Sequence, residues 1–184
     1  MIKDEALRSF SGKNCLVTGG TGMIGREIAI LLANAGAHVR VVSLDKVNIH
    51  GSIEHVYGDL TDFEFCKEQT RDMDCVFHVA GIKGSIKVTV ENPASFFVPL
   101  LMFNTNVLEA SRLNKVPKLV YTSSIGAYSA SEIFIESEEE DLAPPMDMYP
   151  GWAKRMAEMQ IQAYRTQYGL ENYSVVRPCN VYGP

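Results

Sequence analysis

The chain has 184 residues, 46% hydrophobic and 21% charged, with a formal net charge of −5 at pH 7. That is the length of one domain and the composition of a packed soluble globule. A mildly acidic chain with no basic cluster is not built for nucleic acid, which needs concentrated Lys and Arg, and no apolar run reaches the roughly 18–20 residues that span a bilayer.

In chain order, MIKDEALRSFSGKN is polar and lacks the apolar stretch of a signal peptide. NCLVTGG (14–20) reads as a buried strand entering a glycine turn. Residues 23–35 show helical spacing, with Ile24, Ile28, Leu31, Leu32 and Ala35 on one face and Gly36 at the end. Residues 38–44 and 52–58 read as the second and third strands. Thr61 is placed to cap a helix running to about Thr70. Residues 75–81 form the fourth strand, and 94–114 a helix that Pro99 bends or interrupts. Residues 118–124 are the fifth strand. ESEEED (136–141), followed by Ala-Pro-Pro, is a solvated acidic loop. Residues 150–168 form a long helix, with Pro150 in its first turn and Gly169 just past its end. Residues 173–178 are the sixth strand. The cysteines, Cys15, Cys66, Cys75 and Cys179, form no CxxC pair, and Cys15 and Cys179 sit in strand-like apolar runs. They read as reduced, buried thiols of a cytoplasmic protein, with no metal site.

The strands are nearly continuous in apolar residues, so both faces of the sheet are buried. Strands alternating with helices then imply an α/β fold: one Rossmann-type doubly wound parallel sheet over residues 1–184, with strand order 3-2-1-4-5-6.

TGGTGMIG (18–25) follows a strand and opens a helix, the context in which a glycine pattern cradles a dinucleotide pyrophosphate. Gly19 permits the turn, Gly22 lets the backbone approach the phosphates, and Gly25 lets the helix pack closely on the sheet. Thr21, Met23 and Ile24 complete the cofactor-binding loop, whose free N–H groups and helix dipole favour anions. The choice between NAD and NADP stays open. An acid on the ribose is expected about where Ser43 stands, and Asp45 lies two residues later. A small hydroxyl at Ser43 would leave room for a 2′-phosphate, with Arg40 or Lys46 nearby in sequence.

TGGTGMIG, GDLTD (58–62), VFHVAG (76–81), YTSSIGAY (121–128), YPGWAKRMAE and RPCNVYGP occur in this order across essentially the whole chain. In that order they resemble the extended short-chain dehydrogenase/reductases of the NAD-dependent epimerase/dehydratase kind, which modify nucleotide-sugars. The resemblance assigns Asp59 and Leu60 to the adenine border. It places Val79, Ala80, Gly81 and Pro178 along the cofactor. Ser124, Tyr149 and Lys154 become the catalytic set, and Lys83, Ser124 and Asn180 contact the substrate. In that chemistry a tyrosine moves the hydroxyl proton as carbon-bound hydride passes to the nicotinamide. The lysine cation favours the phenolate, and the serine orients the reacting oxygen. Read without the resemblance, His78 is a core histidine and Trp152 packs its helix.

The chain departs from the family pattern in three places. The family spacing Y-x-x-x-K is here Tyr149-Pro-Gly-Trp-Ala-Lys154, one residue longer. Residues five apart on a helix differ by about 140° around the axis. Since the residue before proline avoids helical geometry, Tyr149 is expected just outside the first turn, reaching the nicotinamide. Asn104 or Asn106 stands near the place of a family asparagine. Family members also continue into a substrate lobe of on the order of a hundred residues. The expectation is therefore the cofactor half of a longer enzyme, with an open apolar edge that favours a homodimer. The leading function is a nucleotide-sugar epimerase, dehydratase or 4-keto reductase. The absence of an acid pair beside Ser124 favours epimerase or reductase. A reductase of another carbonyl and a non-catalytic NAD(P)-binding protein are the alternatives. Ser124, Tyr149 and Lys154 together argue against the last, and the Tyr149 spacing argues for it.

Overall fold

The computed structural model describes residues 4–47, 49–82, 86–134 and 143–183. Six parallel strands form one sheet in the order β3-β2-β1-β4-β5-β6. They are β1 Asn14–Thr18, β2 His38–Ser43, β3 Glu54–Tyr57, β4 Cys75–His78, β5 Lys118–Thr122 and β6 Tyr173–Val176. The helices are α1 Asp4–Arg8, α2 Met23–Asn34, α3 Phe63–Gln69, α4 Ile86–Glu91, α5 Pro93–Leu113 and α6 Met148–Tyr168.

Successive strand residues face opposite sides, so β1 feeds two cores. Leu16 joins Val42, Val76, Leu119 and Tyr121 in the core shared with α5 and α6. Cys15 and Val17 join Val41, Ala29 and Leu32 in the core under α2. Both faces of the sheet are therefore covered, which is why its strands carry little polar alternation.

The elements follow the sequence pattern closely, with local corrections. The α3 cap is Asp62, not Thr61: its Oδ1 accepts the Phe65 N–H at 3.2 Å. A carboxylate suits a helix N-terminus better than a neutral hydroxyl, because it also meets the dipole. Pro99 lies within α5, which runs unbroken from Pro93 to Leu113. α1 and α4 have five and six residues, too short to show a helical period. Cys179 is exposed rather than buried, because β6 ends at Val176 and the chain then leaves the sheet. Cys15, Cys66 and Cys75 are buried free thiols, and burial pushes their pKa values up to about 11, 12 and 12 respectively. Among the described residues no helix is long and apolar enough to cross a membrane, and no group of three His, Cys, Asp or Glu is gathered as a metal site.

The tightest backbone approach is at the ends of β1 and β4. Gly19 has φ +69°, and a Cβ there would lie 2.7 Å from the Ala80 Cα. Gly12 has φ +71° but faces open space. Gly19→Ala is therefore expected to lose about 2–4 kcal/mol, and Gly12→Ala only about 1–2 kcal/mol, because only the first adds a backbone clash to left-handed strain. Urea unfolding of both variants checks this; equal losses would remove the clash from the account.

Candidate active site

The site is assembled at the C-terminal ends of the strands, where a doubly wound sheet binds ligands. Thr18, the last residue of β1, organises it. Its Oγ1 accepts the Val79 and Ala80 N–H groups at 3.2 and 3.3 Å and lies 2.7 Å from His78 Nδ1. With both lone pairs engaged, the hydroxyl proton points to Nδ1. His78 is therefore the Nε2–H tautomer, and it donates to Asn104 Oδ1 at 2.9 Å. Burial pushes the His78 pKa down to about 3, and the Lys154 charge adds to the effect. The imidazole is a neutral core brace, as its place within a strand suggests.

The glycine loop is shaped by close approaches. A Cβ at Gly20 would meet the Val41 side chain at 2.5 Å, and one at Gly25 would meet the Gly19 carbonyl oxygen at 2.4 Å. Gly25 thus lets α2 pack on the turn that precedes it rather than on the sheet. Gly22, the α2 N-cap, supplies no side-chain cap, and a Cβ there would meet only Gly19 O at 3.3 Å. No acidic residue occupies the first turn of α2. Unshielded N–H groups at a positive helix end beside open space fit a pyrophosphate. Met23 is exposed and Ile24 half-buried on this turn.

Around the loop, Thr21 Oγ1 donates to Asp45 Oδ2 at 3.3 Å. Ser43 is buried, and its hydroxyl is engaged by Asp45 O at 2.9 Å and His55 Nε2 at 2.6 Å. It does not offer the open hydroxyl that the sequence allowed for a 2′-phosphate. Arg40 is also unsuited to that role: it donates to Glu54 at 2.8 Å and to the Gln69 carbonyl at 3.3 Å. Asp59 is exposed and accepts the Thr61 N–H at 2.9 Å, while Leu60 is buried in the core. Asn106 fixes this corner by donating to the Leu60 and Thr61 carbonyls at 3.1 and 2.9 Å. The two asparagines therefore separate: Asn106 holds the β3–α3 corner, and Asn104 meets His78. Gly81 is exposed beyond β4, and Lys83 lies outside the described residues, as does the acidic run 136–141.

The catalytic candidates sit after β5 and on α6. Ser124 Oγ accepts the Gly126 N–H at 3.1 Å as the cap of the 3₁₀ turn Ile125–Ala127, which leaves its proton available to donate. Lys154 Nζ donates to the Thr122 carbonyl at 2.7 Å and lies 5.0 Å from the Tyr121 ring centroid. Burial lowers its pKa to about 8, against the raising effect of Glu158 one turn along α6. Pro178, whose carbonyl accepts the Ile125 N–H at 3.1 Å, closes the same corner, and Asn180 is exposed beyond it.

Tyr149 departs from expectation. α6 begins at Met148, so Tyr149 lies inside the first turn and helical phase does govern it. Pro150 is tolerated as the third helical residue because first-turn N–H groups need no intrahelical acceptor. Gly151 completes the turn by donating to Asp147 O at 2.8 Å. A Cβ at Gly151 would lie 2.5 Å from Gly126 O and 2.8 Å from the Pro145 side chain, so only glycine lets α6 start this close to the Ser124 turn. The Tyr149 side chain is 45% exposed and packs edge-on against Phe97 of α5, centroids 5.9 Å apart.

Three supporting groups carry weak sequence signals. Glu158 accepts from Ser123 Oγ and bidentately from Arg177, whose guanidinium lies 4.4 Å from the Tyr128 ring centroid. Buried Arg155 donates to the Ala127 and Ala143 carbonyls and to Ser129 Oγ, tying the Ser124 turn to the segment before α6. Gly151, a glycine in the first turn of a helix, is the most visible of the three.

A profile of the NAD dependent epimerase/dehydratase family matches residues 15–184. A putative UDP-glucose 4-epimerase of Methanocaldococcus jannaschii is 31% identical over 91% of the chain, which spans 56% of that relative. Among solved structures, an epimerase from Methanothermobacter thermautotrophicus superposes with a TM-score of 0.86 at 27% identity, over 98% of this chain and 55% of that one. The UDP-glucose 4-epimerase of Thermus thermophilus, in complex with NAD, gives 0.77 at 32% identity over 93% and 56%. The chain spans about half the length of these proteins.

Lys154 gives a test by pH. Its pKa falls from 10.5 in the unfolded chain to about 8 in the fold. Between those values the unfolded state binds more protons, so this group adds stability as pH rises. The stability of the wild type relative to Lys154→Met is therefore expected to increase from about pH 8 to about pH 10 in urea titrations. A flat or falling difference would contradict an ammonium buried at this place.

Proposed function

The chain belongs to the NAD-dependent epimerase/dehydratase family, and on that premise we propose that the protein is a nucleotide-sugar epimerase or 4-keto reductase using Tyr149 as its acid/base. The observation that carries the reading is the Lys154 ammonium, fixed on the Thr122 carbonyl two residues before Ser124. A cation held at the end of β5 beside a serine with a free proton is what a reacting alkoxide or carbonyl oxygen requires.

Gly19, Gly22 and Gly25, with Thr21, Met23 and Ile24, would hold the cofactor pyrophosphate. Asp59 and Leu60 would border the adenine, and Val79, Ala80, Gly81 and Pro178 would line the cofactor toward the nicotinamide. When bound, NAD(P) supplies the hydride acceptor and donor. The protein's own part is orientation and proton transfer. Ser124 donates to the sugar oxygen, and Lys154 places a cation at the end of β5 beside the reacting oxygen. Tyr149 takes the hydroxyl proton during oxidation and returns it during reduction. Lys83 and Asn180 would contact the sugar. The exposed position of Tyr149 in the first turn of α6 leaves it accessible to substrate, although its ring leaves the helix about 140° from Lys154. The names of the relatives support a nucleotide-sugar over other carbonyl substrates. Two copies associating would cover apolar side chains left exposed on α5 and α6, among them Val98, Met102 and Met159.

The test is turnover of a nucleotide-sugar panel by the full-length protein and its Tyr149→Phe variant. Loss of the phenol is expected to lower kcat/KM by about 100-fold or more, the usual range for a general acid/base. An unchanged rate would remove Tyr149 from the chemistry. No turnover of any nucleotide-sugar, with cofactor binding intact, would favour a dinucleotide-binding protein without this activity.

A further inference from the structure

A lysine ammonium taken out of water needs partners for its charge and its three protons. Lys154 donates one proton to the Thr122 carbonyl, at 2.7 Å. Its Nζ also lies 5.0 Å from the ring centroid of Tyr121, the residue before Thr122 on β5. That is inside the roughly 6 Å over which a ring quadrupole attracts a cation. The ring is itself held in place. It is fully buried and stacks on His78 of β4, with centroids 5.6 Å and planes 29° apart. His78 is fixed in turn by Thr18 and Asn104. The Tyr121 hydroxyl lies near Asn104 but finds no well-formed hydrogen bond. The ring face, and not the hydroxyl, is therefore the part of Tyr121 with a definite contact.

We propose that Tyr121 is a positioning residue for Lys154: the face of its ring, braced by His78, holds the ammonium at the end of β5 and favours its charged form. This rests on the reading of Lys154 as the cation of the site, and it deepens that reading by naming a partner that acts through the charge. The other groups around Lys154 leave room for such a partner. Glu158, one turn along α6, favours the ammonium, but Ser123 and Arg177 share its carboxylate. Arg155 is directed to the Ala127 and Ala143 carbonyls, and Tyr149 packs on Phe97. His78 on β4 is neutral, its pKa pushed down to about 3 by burial. Asn104 on α5 is uncharged. Burial lowers the Lys154 pKa to about 8, and partners of the charged form limit that fall. A cation over an aromatic face gains more when desolvated than when exposed, so removing the ring should lower the pKa further.

The test is titration of Lys154 itself, by heteronuclear NMR of the lysine-labelled full-length protein, with its resonance assigned by its loss in Lys154→Met. The wild-type midpoint is expected near pH 8. Tyr121→Leu removes the ring and is expected to lower the midpoint by about one pH unit, a tenfold loss of preference for the ammonium. Tyr121→Phe keeps the ring and should stay within about 0.3 pH units of the wild type. Tyr121→trifluorophenylalanine keeps the shape but withdraws electrons from the ring face, and should fall between the Phe and Leu variants. Ile161→Ala opens a cavity two turns along α6; it should cost stability and leave the midpoint in place. An unchanged or raised midpoint in Tyr121→Leu overturns the proposal. Equal falls in Tyr121→Phe and Tyr121→Leu overturn it as well, because they assign the effect to the hydroxyl. A fluorinated ring that titrates like Tyr121→Phe also overturns it, and that comparison decides the matter if Tyr121→Leu does not fold. A wild-type midpoint near the ordinary 10.5 would defeat the reading of Lys154 as a buried cation, a result distinct from a midpoint near 8 that ignores the ring.

Discussion

The close approach of β1 and β4 at their C-terminal ends is the constraint on which the site depends. Gly19 and Ala80 pass within the reach of a single Cβ, and the Thr18 hydroxyl ties both strands' ends together by accepting two N–H groups and donating to His78. That hydroxyl is fully buried, so its bonds are made away from water and losing one would leave an unsatisfied polar group inside the sheet. His78 passes the constraint on to Asn104 of α5. One buried polar chain thus sets the glycine loop, the crevice after β4 and the long helix relative to each other.

α6 depends on this frame and brings three charged side chains to it. Lys154, Arg155 and Glu158 lie within about one turn and a half, and each is directed into the protein rather than to solvent. Lys154 reaches the end of β5, Arg155 the turn that follows it, and Glu158 both Ser123 and the Arg177 that follows β6. Buried charges persist only when paired or hydrogen-bonded. The Glu158–Arg177 pair, with side chains 14% and 16% exposed, meets that condition. The Lys154 ammonium donates to a neutral carbonyl, and the cost of its burial appears as a lowered pKa. In the proposed chemistry this cation would meet an anionic oxygen in the crevice. Structure and proposed chemistry meet at that atom.

The glycine loop and the strand order are legible in the sequence because each depends on local rules, whereas Lys154 taken alone reads as a solvated helix lysine and is instead buried on the Thr122 carbonyl. Strand–glycine–helix order dictates the loop, and apolar runs alternating with helical periods dictate the sheet. The departures share one physical origin, which is contact between residues distant in sequence. The local preference of a residue before proline puts Tyr149 outside α6, but Gly151 packing on Gly126 and Pro145 overrides that preference. The apolar neighbours of Cys179 suggest an interior position, yet β6 stops three residues earlier. Ser43 reads as an open hydroxyl because His55, twelve residues on, is brought beside it only by the pairing of β2 with β3.

The sequence by itself determined that this chain forms a doubly wound sheet with a glycine turn between β1 and α2, and its motif order carried the resemblance to the family, because periodicity and motif order are properties of the chain alone. The tertiary structure decided which polar side chains remain available for chemistry. Ser43, Arg40 and His78 carry suitable groups, but partners distant in sequence engage them. Ser124 retains a proton to donate, Lys154 a cation, and Asp45 a carboxylate at the mouth of the loop. Hydrogen-bonding capacity is used up by neighbours in space, and only the folded sheet brings those neighbours together.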